Sequence, residues 1–533
     1  MSWPERCGRR YKPALVICRA RFNLAANRVN ADDPKSPAVF SKALERKIIL
    51  LLCCLAAAHV FIFSAAFPPI NNVDEQAHFD LAVKYSHGHL PRALEPVSRE
   101  AMRYIVVYGS QEFLWPPETF PDGKIPPPPW TQPVDKIAPV LLAREAQWQN
   151  ANHESSQPPL YYALAGWWWH AGQWLGFEGG RLLYWLRFLN ILFVAALVGL
   201  GYFTARTIFP ENAFVRLGVP ALLAFLPQTA FDSINNDVLS PLCFGAAFVC
   251  LAKWLSAEIP DARWGTAAGL ALAATFLTKM SNLPLLAVSA LAVLWKIFRL
   301  AKTNKLRASA PSLVLLLFCA TLPIAAWAAW CQTHFGDFTG SAAKVRFLGW
   351  TPKPFAEWWH HPIFTPHGAW TFLSGLLATF WQGEFFWHGR PLASPAANMV
   401  YVLGSLGFVA VALAVLVARI GGTTTGLQRQ ALWLALAGCG AAVAFLAFLS
   451  IIYDFHDCAN PSREHPYFTS GRLLLGALVP FLLLLVVGMD RALGRFGNPA
   501  KYLALAGMIS FMLISEIAVD WPVFASQYNW FRM

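Results

Sequence analysis

Long apolar runs dictate what this chain can fold into. Seven are clear, at residues 47–66, 182–208, 236–256, 309–331, 398–419, 430–452 and 471–489. Four weaker ones, interrupted by a proline or a polar residue, lie at 213–231, 263–280, 282–299 and 502–517. Most run to about 18 to 25 residues, the length a helix needs to cross a hydrocarbon core of roughly 30 Å. Within that core every backbone N–H and C=O needs an internal partner, so only helices and closed barrels span it. The runs do not alternate polar and apolar with period two, which excludes a barrel. Composition agrees: 56% of the 533 residues are apolar and 14% charged, against about 25% charged in a soluble domain. The expected fold is an all-α polytopic membrane protein with about 11 transmembrane helices.

The formal charge of +12 is distributed for topology: eleven Lys and Arg against four acids lie within residues 1–47. Lys296, Arg299, Lys302, Lys305 and Arg307 share one short loop without an acid, and Arg491, Arg495 and Lys501 mark another. This is the positive-inside pattern. It implies a multi-pass membrane protein with a cytoplasmic N-terminus, and no nucleic-acid partner. About 45 polar and basic residues precede the first long apolar run, so that run reads as a retained anchor rather than a cleavable signal. Cys53, Cys54, Cys243, Cys250, Cys319 and Cys439 sit inside apolar runs as small packing residues.

Four regions follow: a basic cytoplasmic arm (1–46), a transmembrane core (47–331), a second outer loop (332–397) and C-terminal transmembrane helices (398–533). The core includes a first outer loop, 67–157, with thirteen prolines. Its run Pro126 to Pro129 can continue neither a helix nor a ladder, whereas 73–87 and 134–150 can form short helices near the membrane surface. The run 158–177 is long enough to span but carries Tyr161, Tyr162, Trp167, Trp168, Trp169, His170 and Trp174, and such aromatics favour the interface. Arg206 and Arg216 flank an inner loop, so one crossing fits between 157 and 206. The run 158–177 is therefore read as interfacial or re-entrant, and 369–387, too polar to span, as a candidate re-entrant segment.

Charged groups near membrane depth are costly unless paired or hydrated, which makes them functional candidates. On a short helix Asp74 and His78 are i,i+4 and Glu75 and His78 i,i+3. Adjacent carboxylates repel, raising one pKa, and a nearby imidazole orients the other; together these suit a general base. The alternative is an acidic first turn that complements the helix dipole. The segment QTAFDSINND, 228–237, holds Asp232, Asn235, Asn236 and Asp237. Asn236 or Asp237 caps the next helix, or these groups contact substrate. Lys279 either snorkels or faces a lipid phosphate. Arg472 is an interface anchor or a bidentate phosphate ligand, and an arginine outside, against the positive-inside trend, favours the second. His153-Glu154 is too local to define a metal site, and His360, His361 and His367 read as interfacial. No cofactor is expected, and a divalent metal is possible but supported by no spacing here.

Taken in order, the motifs Pro69-xxxx-Asp74-Glu75-xx-His78-Phe79, QPPLYY at 157–162, INND at 234–237 and GRLLLGALVPFLLLL at 471–485 resemble an uncharacterised bacterial family of predicted membrane proteins. That family is a domain of unknown function grouped with the GT-C glycosyltransferases, and the resemblance runs from about residue 60 to 490. It implies a GT-C-like fold and transfer of a sugar, on the periplasmic face, from a polyprenyl-phosphate-linked donor to an envelope glycan or lipid acceptor in polysaccharide biosynthesis. An acid early in the first outer loop serves such enzymes as catalytic base or acceptor guide, a role carried over to Asp74, with Glu75 and His78 beside it. Lys279, Arg472, Asp237, Asn236, Asp232, Gln157 and Tyr161 are the expected substrate-binding residues. Gln157 departs from the His or Lys that many GT-C proteins place before the prolines.

Three rivals remain. A polysaccharide polymerase or ligase would use similar groups. A lipid-linked-sugar transporter or flippase would show inverted repeats, broken helices and midplane charges, which the sequence does not display. A non-catalytic membrane assembly partner differs only in activity.

Overall fold

The computed structural model describes residues 41–147, 151–418, 425–458 and 460–533. Most of the expected basic arm, and 148–150 of the expected helix 134–150, lie outside the described residues. In chain order, α1 (Lys42–Ala66) leads to the short helices α2 (Glu75–Ser86), α3 (Arg99–Tyr108), α4 (Val134–Gln147) and α5 (Leu160–Trp174). Next, α6 (Gly179–Arg187) runs almost directly into α7 (Leu189–Ile208). There follow α8 (Ala213–Ala224), α9 (Ser240–Ser256), α10 (Ala262–Thr278), α11 (Leu283–Lys302) and α12 (Leu306–Phe335). The second long loop carries α13 (Ser341–Phe347), α14 (Phe355–Trp358) and α15 (Pro366–Gln382). The chain ends with α16 (Pro395–Ala418), α17 (Gly426–Ile452), α18 (Leu478–Leu493) and α19 (Asn498–Phe524).

Each of the eleven expected spans contains a helix, but among the described residues nine helices are long and apolar enough to cross a membrane. Two of the nine reach that length only with the 3₁₀ turns that adjoin them, Asn236–Ser256 around α9 and Gly471–Phe496 around α18, whereas α8 with 12 residues and α10 with 17 fall short. Pro227 and the polar turn 228–237 end the helical path after α8, because those side chains are needed to hold a buried turn. Helix α5 has 15 residues, about 22 Å at 1.5 Å per residue, less than the bilayer core. It packs on α2, burying Tyr161, Tyr162 and Trp169 while Trp167 and Trp174 stay exposed. The strands are two-residue pieces: Thr351–Pro352 pairs antiparallel with Tyr453–Asp454, and Phe386–Trp387 with Arg390–Pro391. The first of these ladders ties the second long loop to the connection between α17 and α18.

From Leu478 to Met489 helix α18 is apolar on all sides, as a helix enclosed by others must be, and the span it belongs to, Gly471–Phe496, is 94% buried over its most apolar stretch. It packs against α8, α9, α16 and α17. At its leading end Gly471 lies against the backbone of Thr379 and Phe380, where any Cβ would collide. That close approach brings the end of α15 beside the start of α18.

A buried ion pair fixes the first loop. Arg187 donates from Nε to Glu75 Oε1 and from Nη2 to Oε2, both at 2.7 Å. The same guanidinium donates to the carbonyls of Ser64, Phe67 and Pro68 at the end of α1. Glu75 also accepts from the backbone N–H of Asn71 at 3.1 Å and Ile234 at 3.0 Å. One pair thus joins α1, α2, α6 and the 228–237 turn. Replacing Arg187→Met strands a buried carboxylate and is expected to destabilise the protein by about 3–5 kcal/mol, read as a lower melting temperature in detergent. Adding Glu75→Gln to that variant should restore much of the loss. An unchanged melting temperature in the single variant would contradict this account.

Candidate functional site

Charged side chains from distant stretches meet at the end of the bundle that carries the two long loops. Asp74 stands just before α2 with left-handed φ 61°, ψ 6°, a conformation that Asp tolerates better than most residues. Its carbonyl accepts from the N–H groups of Ala77 and His78, while its side chain turns away from the helix. Asp74 Oδ2 accepts from Arg472 Nη2 at 2.7 Å, and Oδ1 lies 3.2 Å from His153 Nε2. Arg472 Nη1 donates to Asp237 Oδ2 at 3.3 Å, and its Nε is 3.6 Å from Glu384 Oε2. Behind it, Lys279 Nζ donates to Asp237 Oδ1, a pair with side chains 6% and 1% exposed. Glu154 accepts from Lys344 Nζ and from Gln157 Nε2, the latter at 2.6 Å. Four carboxylates therefore face Arg472, Lys279, Lys344 and His153, so the buried charges are compensated.

The 228–237 turn holds this assembly in place. Gln228 Nε2 donates to the carbonyls of Thr379 (3.1 Å) and Phe380 (2.7 Å), which close α15. Gly383 follows with φ 80°, and a Cβ there would run into Thr229. Glu384 is the next residue and accepts from Ser470 Oγ at 2.6 Å. The cap is Asn235, which accepts from the N–H of Asp237 at 2.9 Å, and not Asn236 or Asp237 as expected.

These groups border a cavity of about 410 Å³. Asp74, His153, Lys344, Glu384 and Arg472 supply its polar side, and Trp350, Phe385, Phe386, Leu392, Phe468 and Leu473 its apolar walls. Burial disfavours the Asp74 carboxylate, but the His153 hydrogen bond and the Arg472 charge hold it far below its ordinary range. Burial likewise opposes the charged form of His153, yet its hydrogen bonds to Asp74 and Glu154 raise it to about 9. Glu384 is shifted the other way: burial lifts it above the usual carboxylate range, with Arg472 and Ser470 offsetting only part.

Several expected site residues lie elsewhere. Glu75 is consumed by Arg187. His78 is 1% exposed, shares a 2.7 Å hydrogen bond with Tyr162 Oη and is pushed down by burial to about 4. The i,i+4 reading of Asp74 and His78 fails because Asp74 precedes the helix in a left-handed conformation, so helical periodicity does not apply to it. Tyr161 is fully buried edge-on against Tyr162, with ring centroids 5.4 Å apart. Asp232 is buried beneath α1, accepting from Ser64 Oγ at 3.5 Å, and does not line the cavity. Gln157 and Asn236 are joined at 3.3 Å and form a strut that orients Glu154. Asp74 and Arg472 do border the cavity, with Asp237 and Lys279 directly behind.

Sequence reasoning missed Lys344 and Glu384 and set His153 and Glu154 aside. A helix-ending glycine followed by a lone acid among aromatics, WQGEFFW at 381–387, was a usable signal for Glu384. Lys344 offers no comparable one. Asp74, His153 and Glu154 present donor atoms within 4.8 Å of one another. A divalent cation would suit them only after Arg472 and Lys344 moved away and His153 lost its proton.

A group whose folded pKa is raised, as for His153, stabilises the fold fully below its unfolded value and loses that contribution as pH climbs through the folded one. Unfolding free energy should therefore fall by on the order of 2 kcal/mol, after a discount for partial exposure, as pH rises from about 6.5 to about 9, read as a lower melting temperature. His153→Asn should flatten that slope, and an identical slope in the variant would contradict the assignment.

No curated protein matches the chain. Among solved structures it is similar to the archaeal oligosaccharyltransferase AglB from Archaeoglobus fulgidus, in complex with an inhibitory peptide and a dolichol-phosphate. The identity is 12% and the TM-score 0.40, covering 90% of this chain and 55% of that one, so the chain spans about half its length. The profile of predicted membrane proteins designated DUF2142 matches residues 59–453, most of the sequence. The chain belongs to this DUF2142 family of predicted membrane proteins.

Proposed function

We propose that the cavity beside Arg472 moves a sugar from a polyprenyl-phosphate-linked donor to an envelope glycan or lipid acceptor on the outer face of a bacterial inner membrane. The observation that carries this reading is a guanidinium at the head of the most enclosed helix, set between a polar floor and apolar walls. A lipid phosphate has both needs: planar, bidentate cationic contact for its oxygens and apolar surface for its chain. Lys279 and Lys344 add positive charge where the leaving phosphate gains negative charge. The resemblance of Asp74, QPPLYY, INND and the α18 motif to a family grouped with GT-C glycosyltransferases points the same way, as does the GT-C-like architecture it implies. A single displacement at the anomeric carbon inverts its configuration.

Transport is supported by a separate observation. His59 in α1 lies 2.7 Å from Glu516 in α19, and ionisable groups inside spans mark ion paths by default. Neither residue lines the cavity, and the denser charge cluster sits at one end of the bundle, which favours chemistry over passage.

Arg472→Gln, at membrane abundance matched to wild type, is expected to lower sugar transfer by roughly 10²–10³-fold, the usual cost of one transition-state donor, with Arg472→Lys intermediate. Mass profiles of envelope glycans from cells lacking the protein, complemented with each version, provide the readout. A glycan fully restored by Arg472→Gln would exclude the arginine from the reaction.

A further inference from the structure

Resting on the sugar-transfer reading, we infer that Glu384, rather than Asp74, takes the proton from the acceptor hydroxyl. A general base needs an oxygen that faces the substrate and is not already tied to a cation. Asp74 has Oδ1 against His153 and Oδ2 against Arg472. Asp237 is divided between Lys279 and Arg472, and its side chain is 1% exposed. Glu154 is held by Lys344 and Gln157 and is 3% exposed. Glu384 differs from all three. Its Oε2 is anchored by Ser470 at 2.6 Å and stands 3.6 Å from Arg472 Nε. No hydrogen bond from the described residues reaches its Oε1. The side chain is 22% exposed and borders the cavity.

Position and basicity agree. Glu384 follows Gly383 at the end of α15, while Ser470 and Arg472 lie on the approach to α18, so the carboxylate is held between two packed elements. The charged groups that face it are Arg472, Asp74 and Asp237, and the two acids add to the effect of burial in raising its proton affinity against the pull of Arg472 and Ser470. Asp74, pressed down by His153 and Arg472, is a weak proton acceptor. In the step itself, the acceptor oxygen bonds to the anomeric carbon as the bond from that carbon to the donor phosphate oxygen breaks. The electron pair of that bond leaves with the lipid phosphate beside Arg472. The hydroxyl proton passes to Glu384 Oε1 and afterwards to water. Asp74 is then a positioning residue, holding Arg472 and His153.

The test uses envelope from cells lacking the protein, which carries both unused donor and unmodified acceptor. Full-length wild type, Glu384→Gln, Glu384→Asp and Asp74→Asn, each with a monodisperse size-exclusion profile, are added in detergent. Sugar gained by the glycan is followed by mass across acid to neutral pH. Wild-type rate should fall toward acid as Glu384 takes a proton. Glu384→Gln should lose at least roughly 10²-fold together with that acid limb. Glu384→Asp should keep part of the rate with the limb displaced, and Asp74→Asn should lose rate but keep the limb. Glu384→Gln that retains more than half the rate, or retains the limb, overturns the assignment. If that variant does not fold, an undisplaced limb in Glu384→Asp overturns it. An active wild type with an active Gln variant sinks this inference alone, whereas a wild type that transfers nothing sinks the sugar-transfer reading with it.

Discussion

The guanidinium of Arg472 touches carboxylates from three remote parts of the chain: Asp74 after the first span, Asp237 at the start of α9 and Glu384 after α15. Most of the site's geometry depends on that sharing. A charge enclosed this deeply is tolerable only when its partners are in place, because removing one leaves another buried and uncompensated. The network is therefore a strong constraint on how the two long loops sit on the bundle. It also leaves a guanidinium at the cavity floor whose partners are acids, an arrangement that an incoming phosphate can enter by displacing a carboxylate.

The support for Arg472 is built mainly from uncharged groups. Asn72, Asn190, Gln228 and Asn235 all spend amide hydrogens on carbonyls of the turn 229–233 or of the end of α15. In a region where water is scarce, backbone groups outside regular helices must be satisfied by protein. This explains why a stretch rich in Asn, Gln and Ser is buried. Below it, the Glu75–Arg187 pair clamps the chain as it leaves α1, so the left-handed turn at Asp74 is held from both sides.

Much of the fold was legible because hydropathy over 20 residues reports directly on the solvent. All eleven apolar runs contain a helix, and the aromatic run 158–177 contains one too short to span. The two shortened helices were harder to see, since where a helix stops depends on the turn that must be accommodated beyond it. At the site, Asp74, Asp237, Lys279 and Arg472 stood out as charges beside apolar runs, and the structure brings those four together. Glu75, His78, Asp232 and Tyr161 were equally visible as motif neighbours, yet adjacency in sequence does not say which way a side chain turns. A single left-handed residue at Asp74 sends it to one side and Glu75 to the other. Glu384 and Lys344 lie in a long loop whose path is fixed by the small strand pairs and by Gln228, contacts far apart in sequence.

Sugar transfer from a lipid monophosphate has a stoichiometric signature that neither transport nor a scaffolding role shares. The most direct measurement adds the purified full-length protein to envelope from cells that lack it and counts, by mass spectrometry, free polyprenyl phosphate released against sugar gained by the glycan. The account predicts that the two rise together in equal amounts. Release of a lipid diphosphate instead, or a gain of sugar with no lipid phosphate set free, would contradict it.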